Sequence, residues 1–136
     1  MLLVNAKKGS SKIHELGLIS CQFIPKGTRI WQLQPEFDVI MTPEKLETLS
    51  PSARAQMLYY CYYDPQKRLY ILSSDDDRFT NHSETPNSAL DHDGTSTVAI
   101  VDIAEGDEIT WDYRNGANWH LGSDNLDQMP HEYIFD

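Results

Sequence analysis

The chain has 136 residues, enough for one domain with a real core but too few for two catalytic domains. Its 40% hydrophobic and 24% charged residues give a globular balance, and at a mean hydropathy of −0.51 no stretch is apolar enough to span a bilayer. The net charge of −10 is unevenly divided: residues 1–74 carry nine basic and six acidic side chains (net +3), residues 75–136 two and fifteen (net −13), a field that repels phosphate backbones and attracts Lys/Arg-rich peptides.

Strand signals dominate the chain. Leu16-Gly17-Leu18-Ile19 leads through Cys21 and Phe23 to Ile24-Pro25-Lys26-Gly27, where Pro in the second and Gly in the fourth position predict a type I turn into a strand ending at Trp31. The phrase I-x-x-G-x-x-I recurs over Ile103–Ile109 and reads as reuse of a good turn rather than a duplication. Thr42-Pro43-Glu44 and Ser50-Pro51 each offer an N-cap followed by Pro at the first helical position. Ala53, Met57 and Tyr60 follow at helical spacing, so two short helices are expected to pack across sheet edges. The aromatic run Tyr59–Tyr63 suits core or interface packing as well as a binding wall, and Arg68–Ser73 reads as a strand. Asp93-Gly94 between the alternating segments 88–92 and 95–102 is a hairpin signal. The tail from Asn115 is polar but carries Trp119, Tyr133 and Phe135, aromatics expected to dock on the body.

Several chemistries fail on spacing. Asp75-Asp76-Asp77 lacks the alternating ligands and sixth-position Gly of a calcium loop and reads as an acidic turn, solvated or capping N–H groups. No His pair has zinc spacing, and Cys21 and Cys61 are too few for a disulfide scaffold or a cysteine zinc cluster, so no metal is expected. The N-terminus reads as no signal peptide, and a cytoplasmic protein with free thiols is the expectation. Neither a G-x-S-x-G elbow nor a phosphate-cradling glycine loop is present. What remains is Arg78-Phe79-Thr80-Asn81-His82-Ser83-Glu84-Thr85-Pro86-Asn87, a turn-prone polar segment that frees backbone groups for a ligand, and Gly106-Asp107-Glu108-Ile109-Thr110-Trp111-Asp112-Tyr113, a strand ending in an aromatic pair around an acid.

These two segments resemble the signature motifs of the SET domain, the fold of protein-lysine methyltransferases, in its small stand-alone bacterial and viral form. R-F-x-N-H-S-C-x-P-N is matched from Arg78 to Asn87 except at Glu84, and G-E-E-[LI]-T-x-D-Y from Gly106 to Tyr113 except at Asp107. Upstream, Gly17 matches the second glycine of the family's G-x-G-[LV]-F-A, with Glu15 in place of the first, and Ile24-Pro25-Lys26-Gly27 resembles its x-I-x-K-G turn. The resemblance implies a mostly β, β-clip-like fold with short helices, small curved sheets and a C-terminal pseudo-knot. It places the domain over residues 1–115, its core about 8–115. Glu84 replaces the cysteine that joins a zinc site in many members, and no cysteine follows Cys61. The tail 116–136 is therefore expected to close the site without a zinc-binding module.

The resemblance further implies S-adenosylmethionine as cofactor and a lysine of a basic, Lys/Arg-rich protein as substrate. No nucleic acid or membrane partner is expected, and a homodimer would complete the substrate groove. It gives Tyr113 the task of aligning the methyl group. Asn81, His82, Leu16 and Gly17 are to contact the cofactor, with Trp119 stacking on its adenine. Trp111, at a position resembling the family's Phe/Tyr switch for product state, is to line the lysine channel with Tyr62 or a neighbouring tyrosine. Two rivals are a degenerate SET-like module that binds a basic peptide without turnover and a carbohydrate-binding β-clip protein, the latter at odds with the intact N-H-S and D-Y motifs.

The chemistry asks for such a channel. A lysine amine with its ordinary pKa is only about 0.04% neutral at pH 7, equivalent to roughly 4.6 kcal/mol of barrier. An apolar aromatic wall and a neighbouring sulfonium both lower that pKa. The sequence offers many tyrosines and no obvious catalytic dyad, so proton loss to water is the expectation.

Overall fold

Two sheets share the ten strands that the computed structural model describes over residues 1–91 and 94–113. In chain order they are β1 (Ala6–Ser10), β2 (Leu16–Ser20), β3 (Arg29–Gln32), β4 (Val39–Met41), β5 (Tyr62–Asp64), β6 (Leu69–Leu72), β7 (Asn81–His82), β8 (Ser88–Leu90), β9 (Ser96–Ala99) and β10 (Glu108–Trp111). Two helices, α1 (Pro43–Glu47) and α2 (Pro51–Tyr60), separate β4 from β5, and a 3-10 turn covers Asp76–Phe79. The larger sheet runs β1-β2-β10-β8-β9-β3, with β7 also paired to β10; the smaller runs β4-β6-β5. The architecture is mostly β, with small curled sheets and few short helices, as the motifs imply.

The repeated turn phrase has a clear structural meaning. Gly27 and Gly106 take φ of +88° and +89°, and each closes a turn one residue later than the sequence suggested: Thr28 N–H donates to Pro25 C=O and Asp107 N–H to Ala104 C=O, both at 3.1 Å. Glycine therefore sits in the third position at positive φ, as a type II turn requires, and not in the fourth position of the predicted type I turn. Each turn follows an isoleucine, and those two isoleucines pair: Ile24 and Ile103 exchange two 2.8 Å backbone hydrogen bonds. Both are fully buried with Leu18, Ile30, Ala99 and Ile109 in the main core.

Both predicted N-caps form: Thr42 accepts from Lys45 N–H and Ser50 from Ala53 N–H, each at 3.2 Å. Leu46, Met57 and Cys61 pack a second core with Met41, Tyr70 and Leu72 of the smaller sheet. The hairpin is β8 against β9, with Ala89 opposite Val98. The last strand, β10, is not an edge. It lies between β2, antiparallel to it, and β7 and β8, both parallel to it.

Candidate active site

The N-H-S and D-Y segments meet because side chains of the first bracket the backbone of the second. Asn87 donates from Nδ2 to Glu108 C=O at 2.8 Å and accepts Thr110 N–H on Oδ1 at 2.9 Å. Ser88 Oγ, fully buried, donates to Thr110 C=O at 2.7 Å, and Ser83 N–H donates to Trp111 C=O at 3.1 Å. An amide with one donor and one acceptor edge can occupy a ladder position in this way. Asn87 and Ser88 were not among the predicted site residues, although the place of Asn87 at the end of the motif was an available signal.

Tyr113, just beyond β10, is fixed at both ends. Its N–H donates to His82 Nδ1 at 3.1 Å and its hydroxyl donates to Thr80 C=O at 2.7 Å. Asp112 Oδ1 lies 3.5 Å from the same ring nitrogen. Burial, then the charges around Tyr59, Asp77 and Glu108, push the Tyr113 phenol above its ordinary range. Burial and the carboxylates of Asp77, Asp64, Asp38 and Asp91 do the same to Tyr62. Both hydroxyls therefore stay protonated at neutral pH and act as hydrogen-bond donors, not bases.

Two cavities lie on either side of Tyr113. His14, Glu15, Leu16, Phe79, Asn81 and His82 line the first, a mixed polar and apolar cleft. Trp31, Cys61, Tyr62, Ile71, Leu90 and Trp111 are in the wall of the second, whose larger side chains are mostly aromatic. Tyr59, Tyr60, Arg78, Thr80 and Tyr113 face both. The second wall is built edge to face: Tyr62 stands at 80° to Trp31 and to Trp111, with centroids 6.1 and 6.3 Å apart, and Trp111 lies 5.1 Å from Tyr113. The Tyr62 hydroxyl is tied to Gly94 C=O at 3.1 Å.

The structure thus brings Leu16, Asn81, His82 and Tyr113 to one cleft and Tyr62, Trp111 and Tyr113 to the other. Gly17 is the exception. It is buried in β2 behind the cleft wall, and a Cβ there would collide with the Glu108 carboxylate and lie 3.2 Å from Asn81 Nδ2. Its lack of a side chain makes room for Glu108 and Asn81, and it does not itself line the cleft. Asn81 in turn spends its amide on the loop in front of it, donating to Leu16 C=O at 2.9 Å, Ser11 Oγ at 3.1 Å and His14 C=O at 3.4 Å. Glu15, in the place of the family's first glycine, holds φ at +32°, the left-handed region that a glycine enters freely. Trp119 and the tail expected to close the site lie outside the described residues.

The profile of the SET domain family matches residues 15–114. No curated protein matches the sequence at a significant level. Among solved structures, a proposed histone methyltransferase of Plasmodium falciparum superposes with a TM-score of 0.59 at 22% identity, over 82% of this chain and 95% of its own. The histone lysine methyltransferase DIM-5 of Neurospora does so with a TM-score of 0.57 at 23% identity, over 82% of this chain and 53% of its own. A humanized mutant of Chaetomium thermophilum Polycomb Repressive Complex 2, bound to an inhibitor, gives 0.61 at 16% identity, over 87% of this chain and 16% of the matched one. These likenesses are of fold. Since the family profile spans most of the chain and both signature segments, the chain belongs to the SET-domain family.

Proposed function

We propose that the protein transfers a methyl group from S-adenosylmethionine to a lysine side chain of a basic protein. The observation that carries this reading is the pair of cavities, one mixed and one aromatic, that share Tyr113 as a common wall. The cofactor has a zwitterionic amino-acid end, hydroxyls and a purine, and the first cleft has a group for each. Glu15 and Arg78 offer opposite charges, strand Asn81–His82 offers polar backbone, and Leu16 and Phe79 offer apolar surface. The residues therefore fit the group. When bound there, S-adenosylmethionine supplies an electrophilic methyl group on a sulfonium.

The chain's own residues do the rest. The aromatic wall excludes water from an entering aliphatic side chain and disfavours its charged form. Tyr113, held by His82 and Thr80, presents its ring and hydroxyl at the junction of the two cavities, where the Thr80 carbonyl also faces. Oxygens placed in this way favour a polarised methyl through weak C–H···O contacts and align the reacting groups. Radiolabelled methyl transfer onto a panel of basic proteins, followed by mass spectrometry of the labelled sites, tests the reading. Label on lysine supports it. Cofactor binding without transfer to any acceptor would favour the degenerate peptide-binding module.

Two further results are expected. Asn81→Ala and His82→Ala each weaken S-adenosylmethionine binding by about 1–3 kcal/mol in isothermal titration. Asn81→Ala frees the 11–16 loop in front of the cleft, and His82→Ala removes the acceptor of Tyr113 N–H. Unchanged affinity in both would make the motif purely structural here. Capture of a Lys-rich substrate at low concentration falls as salt rises, because the net −13 of residues 75–136 acts through a field that salt screens within about 10 Å at 0.1 M. Salt-independent capture would assign the charge to solubility alone.

A further inference from the structure

The aromatic cavity is not purely aromatic: Asp77 is in its wall, together with Ser73 and Thr80. The acidic run divides there. Asp75 and Asp76 serve backbone donors, Asp75 Oδ2 accepting Leu2 N–H at 2.7 Å and Asp76 Oδ2 accepting Lys8 N–H at 3.1 Å. Asp77 turns inward. Its Oδ2 accepts Ser73 Oγ–H at 2.8 Å, and Thr80 Oγ lies 3.5 Å from Oδ1 while donating to Asp77 C=O at 2.7 Å. Thr80 is the residue whose carbonyl takes the Tyr113 hydroxyl, so Asp77 belongs to the segment that sets the junction. Among the carboxylates, that of Asp77 acts most strongly on Tyr62, and it also acts on Tyr113. A second polar group marks the same cavity: Trp31 is 1% exposed, and its Nε1 has no hydrogen-bond partner among the described residues.

We propose that Asp77 is the carboxylate that receives the substrate's ammonium in the aromatic cavity and takes its proton. This rests on the methyl-transfer reading above, and it replaces the expectation that the proton leaves to water unaided. A lysine side chain entering as R–NH3⁺ meets Asp77–COO⁻. The N–H bond breaks, the proton passes to the carboxylate, and R–NH2 with its lone pair is left beside Asp77–COOH. The neutral amine then forms its bond to the methyl carbon, the carbon–sulfur bond breaks with its electrons going to sulfur, and the nitrogen regains a positive charge. Asp77–COOH returns its proton to solvent. In a site withdrawn from water, the paired charges are disfavoured relative to the neutral pair, because desolvation raises a carboxyl and lowers an amine.

The surroundings suit that exchange. Burial pushes the Asp77 carboxyl up to about 6; the Ser73 hydrogen bond lowers it, the Asp75 carboxylate raises it, the Met1 ammonium lowers it and the Asp38 carboxylate raises it. The other charged neighbour in the wall, Arg78, donates from Nε to Ser73 C=O at 3.1 Å and holds its guanidinium 5.9 Å from the Tyr60 ring. Tyr62 and Tyr113 remain neutral donors. Asp77 is thus ionised at neutral pH but a far better proton acceptor than an exposed aspartate.

The first arm of the test needs no turnover. In the full chain labelled with ¹³C at Asp carboxyls, the Asp77 signal, assigned through its own Cα, is titrated with and without n-butylammonium chloride. The carboxyl should titrate well above an ordinary aspartate, and n-butylammonium should lower its midpoint by about half a unit or more, since an opposite charge favours the ionised form. An Asp77 signal that ignores n-butylammonium would overturn the proposal, whether or not the protein methylates anything. The second arm is the pH dependence of kcat/KM on whichever basic protein accepts label. If Asp77 takes the proton, the wild type is flat above about pH 7 and falls below about pH 6, because the reacting pair is carboxylate plus ammonium. Asp77→Asn then loses about 100-fold or more at pH 7 and climbs about tenfold per pH unit towards the lysine's own pKa. Asp77→Glu, which keeps the carboxyl, should keep the flat profile. A wild type that itself climbs tenfold per unit, parallel to Asp77→Asn, would overturn the proton-acceptor role. A panel without any labelled acceptor, alongside a clear n-butylammonium response, would instead overturn the methyl-transfer reading and leave Asp77 as an ammonium-binding carboxylate.

Discussion

Replacing Tyr113 by Phe should cut turnover by two to three orders of magnitude while S-adenosylmethionine affinity stays within about twofold, roughly the loss seen when one preorganised donor is removed from a reacting centre. The argument starts from the hydroxyl's place. It donates to Thr80 C=O at 2.7 Å at the wall common to both cavities, and it is neutral because burial holds the phenol above its ordinary range. Phe keeps the ring, its contacts with His82 and Trp111, and the backbone bond to His82 Nδ1, so the cleft keeps its shape. The variant loses one partly buried hydrogen bond, worth about 1 kcal/mol, and should fold. On the proposed mechanism, what disappears is an oxygen that acts on the reacting groups more strongly in the transition state than in the bound ground state, and such a loss falls on kcat, not on binding. Single-turnover transfer and calorimetric cofactor binding measure the two separately. Near-normal turnover in Tyr113→Phe would remove the assignment, and an equal loss in affinity and turnover would make Tyr113 a binding residue.

Much of this site could be read before any coordinates, for a specific reason. The two signature segments are local, and their residue types are fixed by what they must do to the backbone: Asn87 brackets β10, and Asn81 ties the loop before β2. A pattern dictated by backbone hydrogen bonding survives as a string of letters. The helix starts were equally legible, because Thr42-Pro43 and Ser50-Pro51 cap their own neighbours. The turn type was missed because it depends on where Gly27 sits relative to a hydrogen bond formed one residue later, and not on composition. Motif position says nothing of what lies behind a strand at Gly17; only the register of β10 against β2 reveals Glu108 there. Asp77 was hidden for the opposite reason. In sequence it is the third letter of a uniform acidic run, and only the 3-10 turn over Asp76–Phe79 separates the two carboxylates that serve backbone donors from the one that faces the cavity.

Trp111→Phe should shift the product towards higher methylation. Trp111 is fixed by its backbone, its N-terminal neighbours held by Asn87 and Ser88 and its own carbonyl taken by Ser83 N–H. The ring therefore has a defined place, and that place is the wall of the aromatic cavity: edge-on to Tyr62 at 6.3 Å and tilted at 55° to Tyr113 at 5.1 Å. On the proposed function, an indole in that wall, two fused rings with an N–H, takes up space that an amine needs as it gains methyl groups. Each added methyl must find room while the nitrogen lone pair turns back towards the same approach line. With Trp in place, the expected product of the wild type is an early one. With Phe, the wall recedes by one ring, and the second and third transfers gain the room the indole denied. The cost to the fold is small, since an aromatic edge contact is worth about 0.5–1.5 kcal/mol and Phe retains part of it. Intact-mass analysis of a peptide substrate, followed over time with both proteins, gives the distribution of zero, one, two and three methyl groups. The rate of the first transfer should change by only a few fold, so that a shift in distribution reflects room and not general loss of activity. Identical distributions at equal extents of reaction would mean that the indole does not limit the space around the amine.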